Sequence, residues 1–126
     1  APLFHAMSLE ALRRLCDFET QNLSNTAWAF ATLGFGDRQL FDAISAESVS
    51  RIQEFNEQNI SNTAWAFATL GFRDRPLLDA LSAAAMAKLS SFSLQGMANL
   101  AWANAELEFA NPPLLDAIKA QSWPIL

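Results

Sequence analysis

Tyrosine is missing from this chain, valine occurs once, and there is a single cysteine and a single histidine. Each shortage excludes something. One cysteine, Cys16, rules out an internal disulfide and fits a reducing compartment. With only His5 and Cys16 there is no metal-spaced His/Cys set, and the sequence holds neither a glycine-rich phosphate loop nor a plausible catalytic triad. The residues therefore read as a non-enzymatic chain with no cofactor, no metal and no small-molecule substrate. The near-absence of valine and the lack of any period-two alternation speak against strands. Charged residues make up only 17%, yet no apolar run approaches the roughly 20 residues a bilayer-spanning helix needs. Eight basic against thirteen acidic residues give a net charge of −5, so the basic footprint usual in nucleic-acid binders is lacking. The opening Ala1-Pro2-Leu3-Phe4-His5 has no initiator methionine and resembles no signal peptide, and it reads as the edge of a longer protein.

What is present is apolar surface and repetition. The 126 residues suit one domain, and an apolar share of 52% is ample to offset the entropy of ordering it. Trp28, Trp65 and Trp102 are each 37 residues apart. The segment Asn22–Phe35 matches Asn59–Phe72 at 13 of 14 positions, differing only where Leu23 faces Ile60. Gly96–Phe109 keeps 7 of those 14. Leu40-Phe41-Asp42-Ala43-Ile44 aligns in the same way with Leu77–Leu81 and Leu114–Ile118, and Leu3–Met7 falls one period earlier. The expected organisation is a single helical-repeat domain, with a half repeat at 1–18 and repeats at 19–55, 56–92 and 93–126.

Each unit predicts two helices. The first, helix A, spans about residues 20–34, with Glu19, Asn56 and Ser93 at the capping position and Gly34 and Gly71 at a left-handed stop. The second, helix B, starts after Asp37, Asp74 or Asn111, with Pro76 and Pro112 in the first turn, where a missing N–H costs nothing. Leu78, Leu81, Ala85, Leu89 and Phe92 mark one face of helix B. Helix A is apolar around most of its girth, which a lone hairpin cannot hide, so the expected fold is all-α: an α-solenoid of stacked antiparallel helix pairs.

On helix A, Gln21, Asn25, Trp28 and Thr32 share one face at i, i+4, i+7 and i+11. Gln58, Asn62, Trp65 and Thr69 follow in the second unit, then Gln95, Asn99, Trp102 and Glu106 in the third. An amide offers donor and acceptor together, and an indole offers a plane on which a base can stack. Rungs of Gln and Asn over Trp suit single-stranded RNA or an extended peptide. They equally suit packing between repeats, with the asparagines holding the stacking register. Arg38, Arg73 and Arg75 gather at the A–B turns and are phosphate candidates, although the interspersed Asp37, Asp42, Asp74 and Asp79 also make a solvated mixed-charge face. Arg13, Arg14 and Arg51 fall on helix B. His5 reads as structural and Cys16 as a small core residue.

The recurring Asn-Leu-Ser-Asn-Thr-Ala-Trp-Ala-Phe-Ala-Thr-Leu-Gly resembles the octotricopeptide repeat family and is similar to the helical-repeat regions that precede RAP domains in organellar RNA factors. The resemblance spans Leu3 to about residue 120. It implies paired antiparallel helices, binding of single-stranded RNA, and a place in transcript stability, processing or translation in the chloroplast or mitochondrion. The residues themselves keep open an alternative: a protein-interaction scaffold or structural subunit of a large organellar complex, in which the partners are protein subunits.

Overall fold

A computed structural model of the chain describes residues 2–107 and residue 120. All regular structure in these residues is helical. Six α-helices follow one another: α1 (Pro2–Arg14), α2 (Thr20–Thr32), α3 (Arg38–Ser50), α4 (Glu57–Leu70), α5 (Arg75–Ala87) and α6 (Leu94–Glu106). The helix expected after Asn111, with Pro112, Leu114 and Asp116, lies outside the described residues, as does the greater part of the expected repeat 93–126.

The local signals account for the boundaries. Asp37 and Asp74 cap α3 and α5 by accepting from the backbone N–H groups of Leu40 and Leu77, at 3.2 and 3.1 Å. Gly34 and Gly71 stand after α2 and at the end of α4 with φ of 71° and 75°, a conformation in which a side chain would be strained. Glu19 forms a capping box in which the Asn22 carboxamide accepts from the Glu19 N–H at 2.9 Å. Asn56 and Asn59 repeat that arrangement at the start of α4.

Two details differ from the sequence expectation. Helix A stops near residue 32 in the first unit, short of the glycine. Helix B ends at Ser50 or Ala87, and a 3-10 turn follows (Ile52–Glu54, Leu89–Ser91). Leu89 and Phe92 therefore lie past the helix, yet both are buried with Leu78, Leu81 and Ala85. The turn folds the end of the apolar stripe back onto the core, so periodicity was preserved in burial but not in helix length.

Helices α2, α4 and α6 pack side by side, and α1, α3 and α5 form a second row against them. The core lies between the rows. Leu40, Phe41 and Ile44 of α3, Phe55, Ile60 of α4 and Leu77 of α5 are wholly buried. Complete burial of such side chains contributes about 1.5–3 kcal/mol each. Phe41 meets Phe67 edge-on at 5.1 Å and Phe72 at 5.3 Å between ring centroids. Within the first row, alanines such as Ala27, Ala31, Ala64 and Ala68 are buried, and their small size lets the helices approach closely.

Polar ties hold the rows in register, and most were not anticipated. The Ser8 hydroxyl of α1 donates to the Asp37 carboxylate at 2.7 Å. The buried Asn59 carboxamide of α4 donates to Ser24 of α2 at 3.2 Å. Arg51 donates to the carbonyl of Phe18, and Lys88, one period later, donates to the carbonyl of Phe55. Each cation thus meets the end of the preceding 3-10 turn, where backbone carbonyls lack helical partners. Arg51 also pairs with Glu54 at 3.3 Å. Arg13 and Arg14 only pair with Glu10 on the exposed face of α1.

His5 and Cys16 correct the sequence reading. Both are exposed: His5 on the outer side of α1, Cys16 in the 3-10 turn that follows it.

Candidate functional site

The amide and tryptophan residues come to the surface of the α2–α4–α6 row. Gln21, Asn25 and Trp28 are exposed on α2. Gln58 is exposed on α4, with Asn62 and Trp65 half-buried. Gln95 and Trp102 are exposed on α6, with Asn99 half-buried. Trp28 and Trp102 leave 46% and 43% of their surface open, which is far more than packing between helices alone would leave. The Trp28 and Trp65 rings do meet, at 6.2 Å between centroids and 33° between planes, so adjacent rungs touch as tilted aromatic neighbours.

The amides behave differently from a register device. Gln58 Nε2 donates to Asn62 Oδ1 at 3.1 Å within one helix. The Gln58 carbonyl and the Asn62 amide N–H groups then remain for an outside donor–acceptor pair. The bond that ties α4 to α2 is made instead by Asn59, three residues earlier. The sequence offers that duty as one of two readings of Asn25, Asn62 and Asn99. The missed signal is that Asn59 stands on the neighbouring face, beside the stripe of Thr63 and Ala66. The Thr32 hydroxyl is spent on the Trp28 carbonyl at 2.9 Å and is no reader of ligands.

A groove of about 210 Å³ runs between α4 and α6. Gln58, Asn62, Gln95 and Asn99 line it, together with Trp28, Ser61 and Ser93. Among the described residues its one charged lining residue is Glu57, so these offer neutral hydrogen-bonding groups and aromatic planes and no cation. Such a surface matches the N–H and C=O groups of a peptide backbone, and it offers a phosphate neutral N–H and O–H donors without an opposite charge.

Arg38, Arg73 and Arg75 are brought together elsewhere. They line a second groove of about 430 Å³ at the A–B turns, with Phe67, Phe72, Asp42 and Asp74. The Arg38 guanidinium lies 5.0 Å from the centre of the Phe72 ring, a cation–π contact. Two carboxylates among three arginines leave this groove only weakly positive, and it shares no lining residue with the amide groove. Nearby, the Ser8 hydroxyl and the backbone N–H groups of Leu40 and Gln39 hold the Asp37 carboxyl below the usual carboxylate range. Among the described residues, no cluster of three or more His, Cys, Asp or Glu side chains is placed to hold a metal ion.

No curated protein matches the chain. A match to a described family covers residues 1–125, and that family is not the octotricopeptide repeat family or the repeat region of RAP-domain proteins. The expectation drawn from Asn25, Trp28 and the alanines between them is thereby corrected. Small residues spaced around a large aromatic are what close helix stacking demands, and that demand is not peculiar to one lineage. The chain belongs to the family described as RNA-editing substrate-binding complex 6 protein, RESC6.

Proposed function

We propose that this chain is a non-catalytic helical subunit that serves a large RNA-processing assembly mainly through protein contacts. In this reading it is one helical-repeat domain, a solenoid of 37-residue hairpins whose Gln/Asn/Trp face docks a partner protein. The observation that carries it is the chemistry of that face. Gln58, Asn62, Gln95 and Asn99 line a groove to which the described residues bring no cation, beside the open ring of Trp28. The family description, naming a complex that binds RNA-editing substrates, fits a component of such an assembly. No helix among the described residues is long and apolar enough to cross a membrane. The organellar location expected from the sequence narrows in this reading to the mitochondrion.

Single-stranded RNA on the same face is the second reading. The tilted Trp28–Trp65 pair favours it, because indoles stack bases, while the groove of Arg38, Arg73 and Arg75 lies apart from this face.

Purification of the native assembly with and without nuclease separates the two. Retention of the chain with partner proteins after nuclease, lost on Trp28→Ala and Trp102→Ala in a chain that keeps its helical circular dichroism, supports protein docking. Release by nuclease, together with RNA affinity that falls steeply as salt rises, overturns it in favour of RNA.

A further inference from the structure

Helices α2 and α4 carry nearly the same sequence but differ in what covers them. On α4, the stripe of Asn59, Thr63 and Ala66 is buried, and Asn59 bonds Ser24 of α2, so this is the side turned toward α2. On α6, the equivalent Gly96, Leu100 and Ala103 are likewise buried. On α2, the equivalent Asn22 and Ala29 are exposed and Thr26 is half-buried. Leu33, next in the stripe, is 50% exposed. The same stripe is thus a filled seat in two helices and an empty one in the third.

The second row repeats the pattern. Leu3 and Met7 of α1 are 65% and 46% exposed. Their equivalents, Leu40 and Ile44 in α3 and Leu77 and Leu81 in α5, are buried to 1% or less. Both rows therefore leave the same end of the molecule uncovered. We propose that this α1–α2 end is a docking surface for one further helix of the α2/α4 type, supplied by another unit of the same kind stacked ahead of α1. The occupant's chemistry follows from the existing seams. The sides of α2 and α4 that face the next helix present Ser24, Ala27 and Ala31, then Ser61, Ala64 and Ala68, all buried. A helix with that Ser-x-x-Ala-x-x-x-Ala stripe seats its alanines on Ala29 and Leu33. Its serine accepts from the Asn22 amide, whose oxygen is already committed to the Glu19 N–H. The inference rests on the stacked-hairpin reading of the fold.

The test is a chain with an additional copy of residues 19–37 joined ahead of residue 1, which sets the copy one period before α2. The expected result is a monomer with a thermal midpoint raised by about 5 °C or more, and with slowed amide exchange around Leu3 and Met7. Glutamates in place of the copy's two stripe alanines should abolish the gain. Equal midpoints for the two chains overturn the proposal. So does self-association of the 126-residue chain that Ala29→Glu abolishes, because a second copy would then own this surface. Asn59→Ala in the unextended chain keeps the outcomes apart. If it destabilises while the added copy does nothing, only the docking surface falls; if neither responds, the stacked reading falls with it.

Discussion

Helix α2 and helix α4 are nearly the same sequence in two surroundings, since they differ only where Thr20 stands against Glu57 and Leu23 against Ile60. The central helix has neighbours on both sides of its row, and Thr63 and Ala66 lose all contact with solvent. The outer helix has a neighbour on one side, and Ala29 stays exposed. Residue type is thus held constant while burial changes, so differences between paired substitutions report the surroundings alone.

The largest difference belongs to Ala66→Glu against Ala29→Glu. The first places a charge with no partner at a fully buried position and should cost about 3–5 kcal/mol. The second stays within about 0.5 kcal/mol. Urea denaturation of the two variants measures the gap, and equal losses would mean that the helices share one environment. Next comes Asn59→Ala against Asn22→Ala. Both remove a capping carboxamide, but only the first also removes the bond donated to Ser24, whose hydroxyl keeps its own bond to the Gln21 carbonyl, so about 1.5 kcal/mol is expected against about 0.5 kcal/mol. Thermal unfolding followed by circular dichroism resolves that difference. Thr63→Val should stabilise by about 1 kcal/mol, because the Thr63 hydroxyl is buried without a hydrogen-bond partner. Thr26→Val should be close to neutral, and a loss at Thr63 would mean that its hydroxyl is satisfied by water.

The smallest effect concerns Asp37, at the seam between α1 and α3. Its carboxyl is held below its ordinary value of 3.8 by the Ser8 hydroxyl first and by backbone N–H groups next. A lowered value in the folded chain means stability that is present above about pH 4 and drains away as the pH falls through the folded-state value. Ser8→Ala should flatten that part of the pH profile of the urea midpoint, and an unchanged profile would remove Asp37 from the seam.

Much of the fold was legible because its signals are local. The 37-residue period set the helix starts at Thr20, Glu57 and Leu94, and Asp37, Asp74, Gly34 and Gly71 marked the ends. The amide–tryptophan face was legible from spacing within one helix. What a repeat cannot announce is position in the stack. Trp28 and Trp65 read identically and end up with different exposure. Cys16 and His5 read as a core and a structural residue, but their equivalents one and two periods on, Gln53 and Ser90 and Asp42 and Asp79, are exposed as well, so these positions of the unit face solvent. The Arg51 and Lys88 ties were hidden for another reason. Each joins a side chain to a carbonyl 33 residues away, and backbone acceptors leave no trace in residue types. The family assignment failed because a Trp-Ala pattern reports how helices stack and says little about descent.

The seam between α2 and α4 also bears on how such a chain changes length. The face that α2 turns to α4, with Ser24, Ala27 and Ala31, recurs on α4 as Ser61, Ala64 and Ala68, so a duplicated 37-residue hairpin would meet a surface of the same residues. Growth by a whole hairpin would reuse that surface, whereas an insertion of any other size would cut a helix and shift the stripe out of line.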